Sequence, residues 1–443
     1  MKIRLSDNFS YKKLLCFVAP PILMMVFTSI YGVIDGLFIS NFAGKTAFAG
    51  VNLIMPFLMV LGSLGFMIGT GGTAVVSKLL GEGKNEKANG FFSLFVLVTF
   101  TGGLVFAVLG EIIIEDIAVL LGATEAMLPY SVLYGRIIMC TVPFFMLQNV
   151  FQAFFSAAEK PLLGFIITLS AGCTNILLDG IFVGVFDAGV TGAAAATCIS
   201  QLIGGIAPLI YFSSANSSLL RLKKPEFNGR VLAKCCANGA SEFVSNVSTS
   251  IVSIVFNYQL MRIAGENGVS AYGVLMYVNF IYFAIFIGYS IGTAPIIGFN
   301  YGAGNVKELK NIFKKSLLLM GIFGIIMSAL AVILANPIAK IYVGYDAELF
   351  EMTVNAFHIF SLSFIFSGFA IFVSSMFTAL GSGLISAAVS FLRTLVFQIS
   401  AVFILPVFFG LSGVWASMLA AEILATAVAA VFCAAKRKKY LYA

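Results

Sequence analysis

Residues 162–186 read LLGFIITLSAGCTNILLDGIFVGVF, a 25-residue run with a single charge, Asp179. A helix needs ~20 mostly apolar residues to cross the hydrocarbon of a bilayer. The run is long enough to span. It is too apolar to be an ordinary surface helix, and it carries a carboxylate near its far end. The same pattern recurs along the whole chain of 443 residues, of which 60% are hydrophobic and 10% charged; a soluble domain carries roughly 25% charge. The mean hydropathy is +1.03. A soluble fold cannot hide that much apolar surface. A cytosolic enzyme, a secreted disulfide scaffold and a disordered chain are thereby excluded, and a polytopic all-α membrane protein remains.

Twelve spans are expected, near 14–40, 51–76, 91–114, 129–157, 162–186, 190–212, 235–262, 270–298, 316–335, 353–379, 384–409 and 412–434. Loops are short, so no sizeable soluble domain lies on either side. Of the 26 Lys and Arg residues, 21 fall on one side of this alternation, from Lys2 and Arg4 through Lys307–Lys315 to the terminal KRKK at 436–439. Positive charge marks the cytoplasmic side. Both termini are therefore expected in the cytoplasm, with the protein multi-pass in the cell (inner) membrane. The net charge of +7 reflects this topology and does not point to a nucleic-acid partner. The seven cysteines lack metal-type pairing and read as small packing residues.

The two halves resemble each other at an offset of 221–223 residues. Thr28-Ser29-Ile30 matches Thr249-Ser250-Ile251, Ala43-Gly44 matches Ala264-Gly265, Ile68-Gly69-Thr70 matches Ile291-Gly292-Thr293, and Gly81-Glu82-Gly83 matches Gly302-Ala303-Gly304. Six spans per half make the repeats parallel, related by a pseudo-two-fold axis along the membrane normal, with a central cavity and rocker-switch alternating access expected between them. The division is an N-lobe at 1–212, a basic linker at 213–234 and a C-lobe at 235–443.

The informative residues are polar groups inside the spans. A carboxylate at mid-bilayer costs ~2.5–3.5 kcal/mol even on the lenient insertion scale, so it faces the protein interior and has a cation or proton partner. Asp35 lies in the first span. Asn175 and Asp179 lie four apart in the fifth, on one helix face. Thr197 is in the sixth, Glu242 in the seventh and Glu422 in the last. Two chemistries fit Asp35, Asn175, Asp179 and Thr197: reversible protonation of the acids, or oxygen ligation of Na⁺. A structural Asp–Arg136 pair is the plain alternative. Arg393 is expected to balance Glu242 or Glu422. His358, the single histidine, is either hydrogen-bonded in the bundle or in the substrate cavity with Glu242 and Arg393. Pro20-Pro21 should kink the first span ahead of Asp35. GTGG at 69–72 lacks the Lys-Ser/Thr of a phosphate loop, and no zinc pattern or nucleophile–base motif is present. The expectation is a transporter without enzymatic activity or cofactor, coupled to an ion gradient.

These residues also carry a resemblance. Ile34-Asp35 with the following Phe38-Ile39-Ser40, LGEGKNEKA at 80–88, AAEKP at 157–161, NILLD at 175–179, AGENGVSAYG at 264–273 and PIIGFNYGAGN at 295–305 resemble the multidrug and toxic compound extrusion (MATE) antiporters, and most closely their bacterial drug exporters. The resemblance implies a cation-coupling site at Asp35, Asn175, Asp179 and Thr197, and a functional acid at Glu242. It implies export of a lipophilic cation by a monomer in exchange for H⁺ or Na⁺. Two departures stand out: no acid lies between Glu351 and Glu422, and Ile291 and Ala294 occupy positions that often carry Gln. The rival readings are a flippase for a lipid-linked saccharide or other lipid, a membrane-embedded transferase and a channel.

Overall fold

The computed structural model describes residues 3–442, so Lys2 lies outside the described residues. Every regular element among them is helical. The spans are α1 (Tyr11–Ala43), α2 (Lys45–Gly81), α3 (Asn85–Leu120), α4 (Leu128–Met139 and Val142–Ala157, bent by 62°), α5 (Pro161–Val185) and α6 (Gly189–Ser213). The second half holds α7 (229–264) and α8 (266–302), α9 (Val306–Val343), α10 (Ala347–Ala379), α11 (383–409) and α12 (411–440). Helices are the one spanning solution for a single chain segment, because each satisfies its backbone internally where no water can. The twelve-span, two-lobe plan read from the sequence is the observed one. The seventh helix starts earlier than expected: the Asn228 side chain caps it, accepting from the amides of Arg230 and Val231.

The joints between spans repeat with the sequence. Helices α1 and α2 meet at Gly44 (φ 91°), and α7 and α8 meet at the matching Gly265 (φ 63°). A second pair, Gly189 (φ 53°) and Gly410 (φ 55°), opens α6 and α12. A positive-φ backbone of this kind is cheap only for glycine, so each of these positions is written into the sequence by residue type.

Each lobe has its own core, and the lobes trade helix ends at the basic end. Leu14, Phe17 and Val18 of α1 pack with Phe286, Tyr289 and Ile312 of the C-lobe. Reciprocally, Cys235 of α7 packs with Phe92 and Phe151 of the N-lobe. The seam there is glycine-tight. A Cβ on Gly81 would collide with the carbonyl oxygen of Phe299, and one on Gly302 with that of Lys78. These four residues are two pairs of repeat mates, so the contact is isologous. Gly71 against Cys235 and Gly239 against Met67 extend it toward mid-membrane. In lipid, where apolar surface gives no driving force between helices, close backbone approach at small residues supplies the packing. Among the described glycines, such cross-lobe approaches lie in the basic-end halves of the helices. The seam is therefore sealed at the basic end.

This packing predicts an asymmetry between two Gly→Ala variants. Gly239→Ala places its methyl on the Met67 carbonyl oxygen and should cost about 1–3 kcal/mol by overpacking. Gly273→Ala meets open space and should leave the thermal unfolding midpoint in detergent unchanged or slightly raised.

Candidate functional site

The N-lobe centre is assembled by the approach of α1 to α5. Gly172 leaves room for the rings of Phe27 and Tyr31, and one to two turns further on the same approach brings Asp35 against Asp179. The two carboxyl groups are neighbours. Asp35 is 5% exposed, Asp179 0% and Asn175 1%. A π-helical turn, Gly180–Val185, follows Asp179 directly; such turns are frequent at functional sites. Asn175 Nδ2 donates to Thr197 Oγ1 at 3.4 Å. The structure thus brings together all four residues picked from the sequence.

The remaining oxygens of this centre are unsatisfied. No hydrogen-bond partner reaches Asp35 Oδ1, Asn175 Oδ1, Asp179 Oδ1 or Asp179 Oδ2 among the described residues. Buried polar atoms in native proteins are paired, so orphaned oxygens converging on one place mark a position for a small positive partner. The Asp–Arg136 pair does not form. Arg136 is exposed on α4 and faces Glu111 at 3.9 Å and Glu115 at 4.0 Å. The reason is helix phase: Arg136 shares its helix with the inward-facing Ser131, Tyr134 and Ile138 but points to the opposite side.

Sequence reasoning missed a surrounding layer. Tyr134 stands beside Thr197, Tyr31 stands beside Gln148, and Thr141 Oγ1 donates to Gln201 Oε1 at 2.7 Å. Gly204 makes space for the Gln148 side chain. The tyrosines gave no signal in a chain with 15 Tyr and 45 Phe. Gln148, however, is polar within an apolar span, and the reasoning that found Asp35 would have found it.

The second polar centre is a cavity of about 400 Å³ on the C-lobe side of the seam. Glu242, Asn246 and Asn279 supply polar groups to it; Phe256, Tyr272, Phe283, Met276 and Met418 supply apolar wall. Ile291 and Ala294 also line it, so the two departures noted above make that wall apolar. Arg393, in a π-helical turn of α11, is committed to Glu422. Its Nε lies 3.0 and 2.9 Å from the two carboxylate oxygens, Nη2 lies 2.8 Å from Oε1, and Phe283 covers the guanidinium at 5.0 Å. Arg393 therefore neutralises Glu422, and Glu242 has no ion-pair partner among the described residues. None of Asp35, Asn175, Asp179 and Thr197 lines this cavity. The placement of His358 in the cavity is corrected: it is exposed on α10 and absent from the lining.

The ion pair has a measurable signature. Arg393→Met should lower stability by about 3–5 kcal/mol by stranding the fully buried Glu422. Arg393→Met with Glu422→Leu should recover most of that loss in thermal unfolding.

Comparison with known proteins places the fold. The family model described as MatE matches the chain twice, at residues 20–181 and 243–404, once in each half. The multidrug export protein MepA of Staphylococcus haemolyticus (strain JCSC1435) is 25% identical over 417 residues, covering 94% of this chain and 91% of that protein. Among solved structures, a MATE in complex with MaL6 superposes with a TM-score of 0.92 at 20% identity over 98% of both chains. The outward-facing conformation of a multidrug resistance MATE family transporter of the MOP superfamily gives 0.92 at 20% identity, covering 98% of this chain and 97% of that one.

Proposed function

The chain belongs to the MatE family, and from that premise we propose that it is a secondary active antiporter exporting amphipathic, cationic organic compounds in exchange for H⁺ or Na⁺. The observation that carries the reading is the meeting of Asp35 and Asp179 with unsatisfied oxygens and no basic residue, in one lobe, while a separate cavity faces the other. The multidrug-export relative supports the substrate class.

The division of labour follows from charge. With Arg393 and Glu422 cancelling, Glu242 when ionised is the net charge of the C-lobe cavity. Its aromatic and methionine walls suit a flat lipophilic cation, and its volume lies in the range of small-molecule sites. The N-lobe oxygens suit either a proton shared between two carboxylates or Na⁺ held by carboxylate, amide and hydroxyl oxygens. Binding of that ion neutralises the N-lobe centre and favours one arrangement of the lobes; substrate favours the other. Antiport needs no more than this difference in preference. In this reading the basic end is cytoplasmic, the protein works as a monomer in the cell membrane, and the arrangement with the basic end sealed faces outward. Residues 1–212 and 235–443 act as lobes joined by 213–234. A flippase for a lipid-linked saccharide would need free basic groups for a diphosphate, and the one cavity arginine is already engaged by Glu422.

Three measurements test the proposal. Asp35→Asn and Asp179→Asn should each reduce uphill export from proteoliposomes to below about a tenth of wild type, a loss worth about 1.4 kcal/mol or more, at unchanged protein content. Imposing pH and Na⁺ gradients separately identifies the coupling ion; export unaffected by either gradient would sink the reading. Glu242→Gln should raise KM for a fluorescent monocation about tenfold, equivalent to about 1.4 kcal/mol of binding.

A further inference from the structure

Ahead of α1, residues 3–10 cross the sealed face of the seam and are held by both lobes. On the C-lobe side, the Phe9 amide donates to Glu308 Oε1 at 2.8 Å. The Leu5 carbonyl accepts from Asn300 Nδ2 at 3.3 Å, and the Phe9 carbonyl accepts from Asn311 Nδ2 at 3.0 Å and from Lys315 Nζ. The Leu5 and Phe9 side chains, 0% and 1% exposed, are buried in the core built by Ile296, Leu309 and Ile312. Toward the N-lobe joint between α4 and α5, the Leu5 amide donates to Glu159 Oε1 at 2.7 Å, a charge-assisted bond.

Glu159 is itself unusual. It forms the joint between α4 and α5 with φ 58°, a left-handed backbone that costs a non-glycine residue free energy. Its counterpart in the other half is Gly381, with φ 75°. The C-lobe joint uses the unstrained residue; the N-lobe joint keeps a carboxylate despite the cost. Strain of this kind persists where the surroundings over-determine it and is a pointer to function. The residue it serves is the amide of a buried leucine anchored in the opposite lobe.

We propose that residues 3–10 form a latch that clips the two lobes together at the basic end, and that the Leu5–Glu159 bond is the catch released when the lobes part. The buried Leu5 and Phe9 side chains and their hydrogen bonds hold the segment on the C-lobe, while the Leu5–Glu159 bond crosses the seam to the α4–α5 joint. The latch sets the fraction of molecules sealed at the basic end and so the rate of reaching the opposite state. The proposal rests on the alternating-access reading above.

The seam carries its own reporter. Cys235 is 0% exposed against α2, its thiol directed at the Ile68 carbonyl, and parting of the lobes uncovers it. In a variant with the other six cysteines replaced, a membrane-impermeant maleimide applied to the basic face of vesicles reads the open fraction as a labelling rate. Glu159→Ala should speed labelling about fivefold or more, Glu159→Gln, which keeps an acceptor oxygen, by less, and a chain lacking residues 3–8 by at least as much as Glu159→Ala. Gly302→Val wedges the seam at the Lys78 carbonyl independently of the latch and serves as the control. Fast labelling in Gly302→Val with wild-type rates in the latch variants overturns the latch and leaves alternating access standing. A wild-type rate in Gly302→Val as well removes alternating access and the latch with it. Should Glu159→Ala not fold, the shortened chain decides by the same criteria.

Discussion

A carboxylate in hydrocarbon must be neutralised, and this chain meets that requirement in two different ways. Glu422 is fully buried and is answered permanently by Arg393, with three short contacts and an aromatic ring over the guanidinium. Asp35 and Asp179 are about as deep and, among the described residues, are answered by no side chain of opposite charge. The contrast separates scaffold from machinery. A buried ion pair that is complete has little reason to change state. A buried pair of like acids, beside Thr197, Asn175 and Tyr134, lacks such an internal answer, and the proposed coupling ion would supply it.

The duplication sharpens this contrast, because the halves share joints and diverge in chemistry. Gly44 and Gly265, Gly189 and Gly410, and Gly81 and Gly302 are matched in position and in the backbone problem each solves. The functional side chains are not matched. Asp35 stands opposite Phe256, Thr197 opposite Met418, Gln201 opposite Glu422, and Glu159 opposite Gly381. Architecture has been kept by the residues that permit close approach and tight turns. Different side chains stand on that common frame, with a buried pair of acids on one side and a largely apolar cavity on the other.

Much of this could be read from the amino acids directly, for an identifiable reason. Spans are set by transfer free energy, a property summed over ~20 residues, so local errors average out. The polar residues Asp35, Asn175, Asp179 and Thr197 stood out because lipid makes each of them costly. What was hidden depends on phase and on distant neighbours. Arg136 and Tyr134 are two residues apart on α4, yet one faces away with Glu111 and the other reaches Thr197; an apolar run has no periodicity sharp enough to tell them apart. His358 was drawn into the cavity because a lone histidine attracts chemical attention, whereas its place on α10 faces outward. The choice of Arg393 between Glu242 and Glu422 was settled by the crossing of α11 and α12, which no spacing encodes. The exchanged ends of α1 and α7 were equally invisible, since the chain boundary between halves is not the packing boundary between lobes.

The junction at Gly44 leaves a single residue between two long helices. Such a connection has no slack. A tilt or axial slip of the outer end of α1, eight residues beyond Asp35, is delivered undamped to the head of α2. Helix α2 runs about 55 Å from there to Gly81 at 1.5 Å per residue, and its tail is one of the two surfaces that meet back to back at the opposite membrane face. One helix therefore joins the neighbourhood of the proposed ion site to the place where the barrier is made, and an ion bound at Asp35 would bear on that barrier through the length of α2 without ever approaching it.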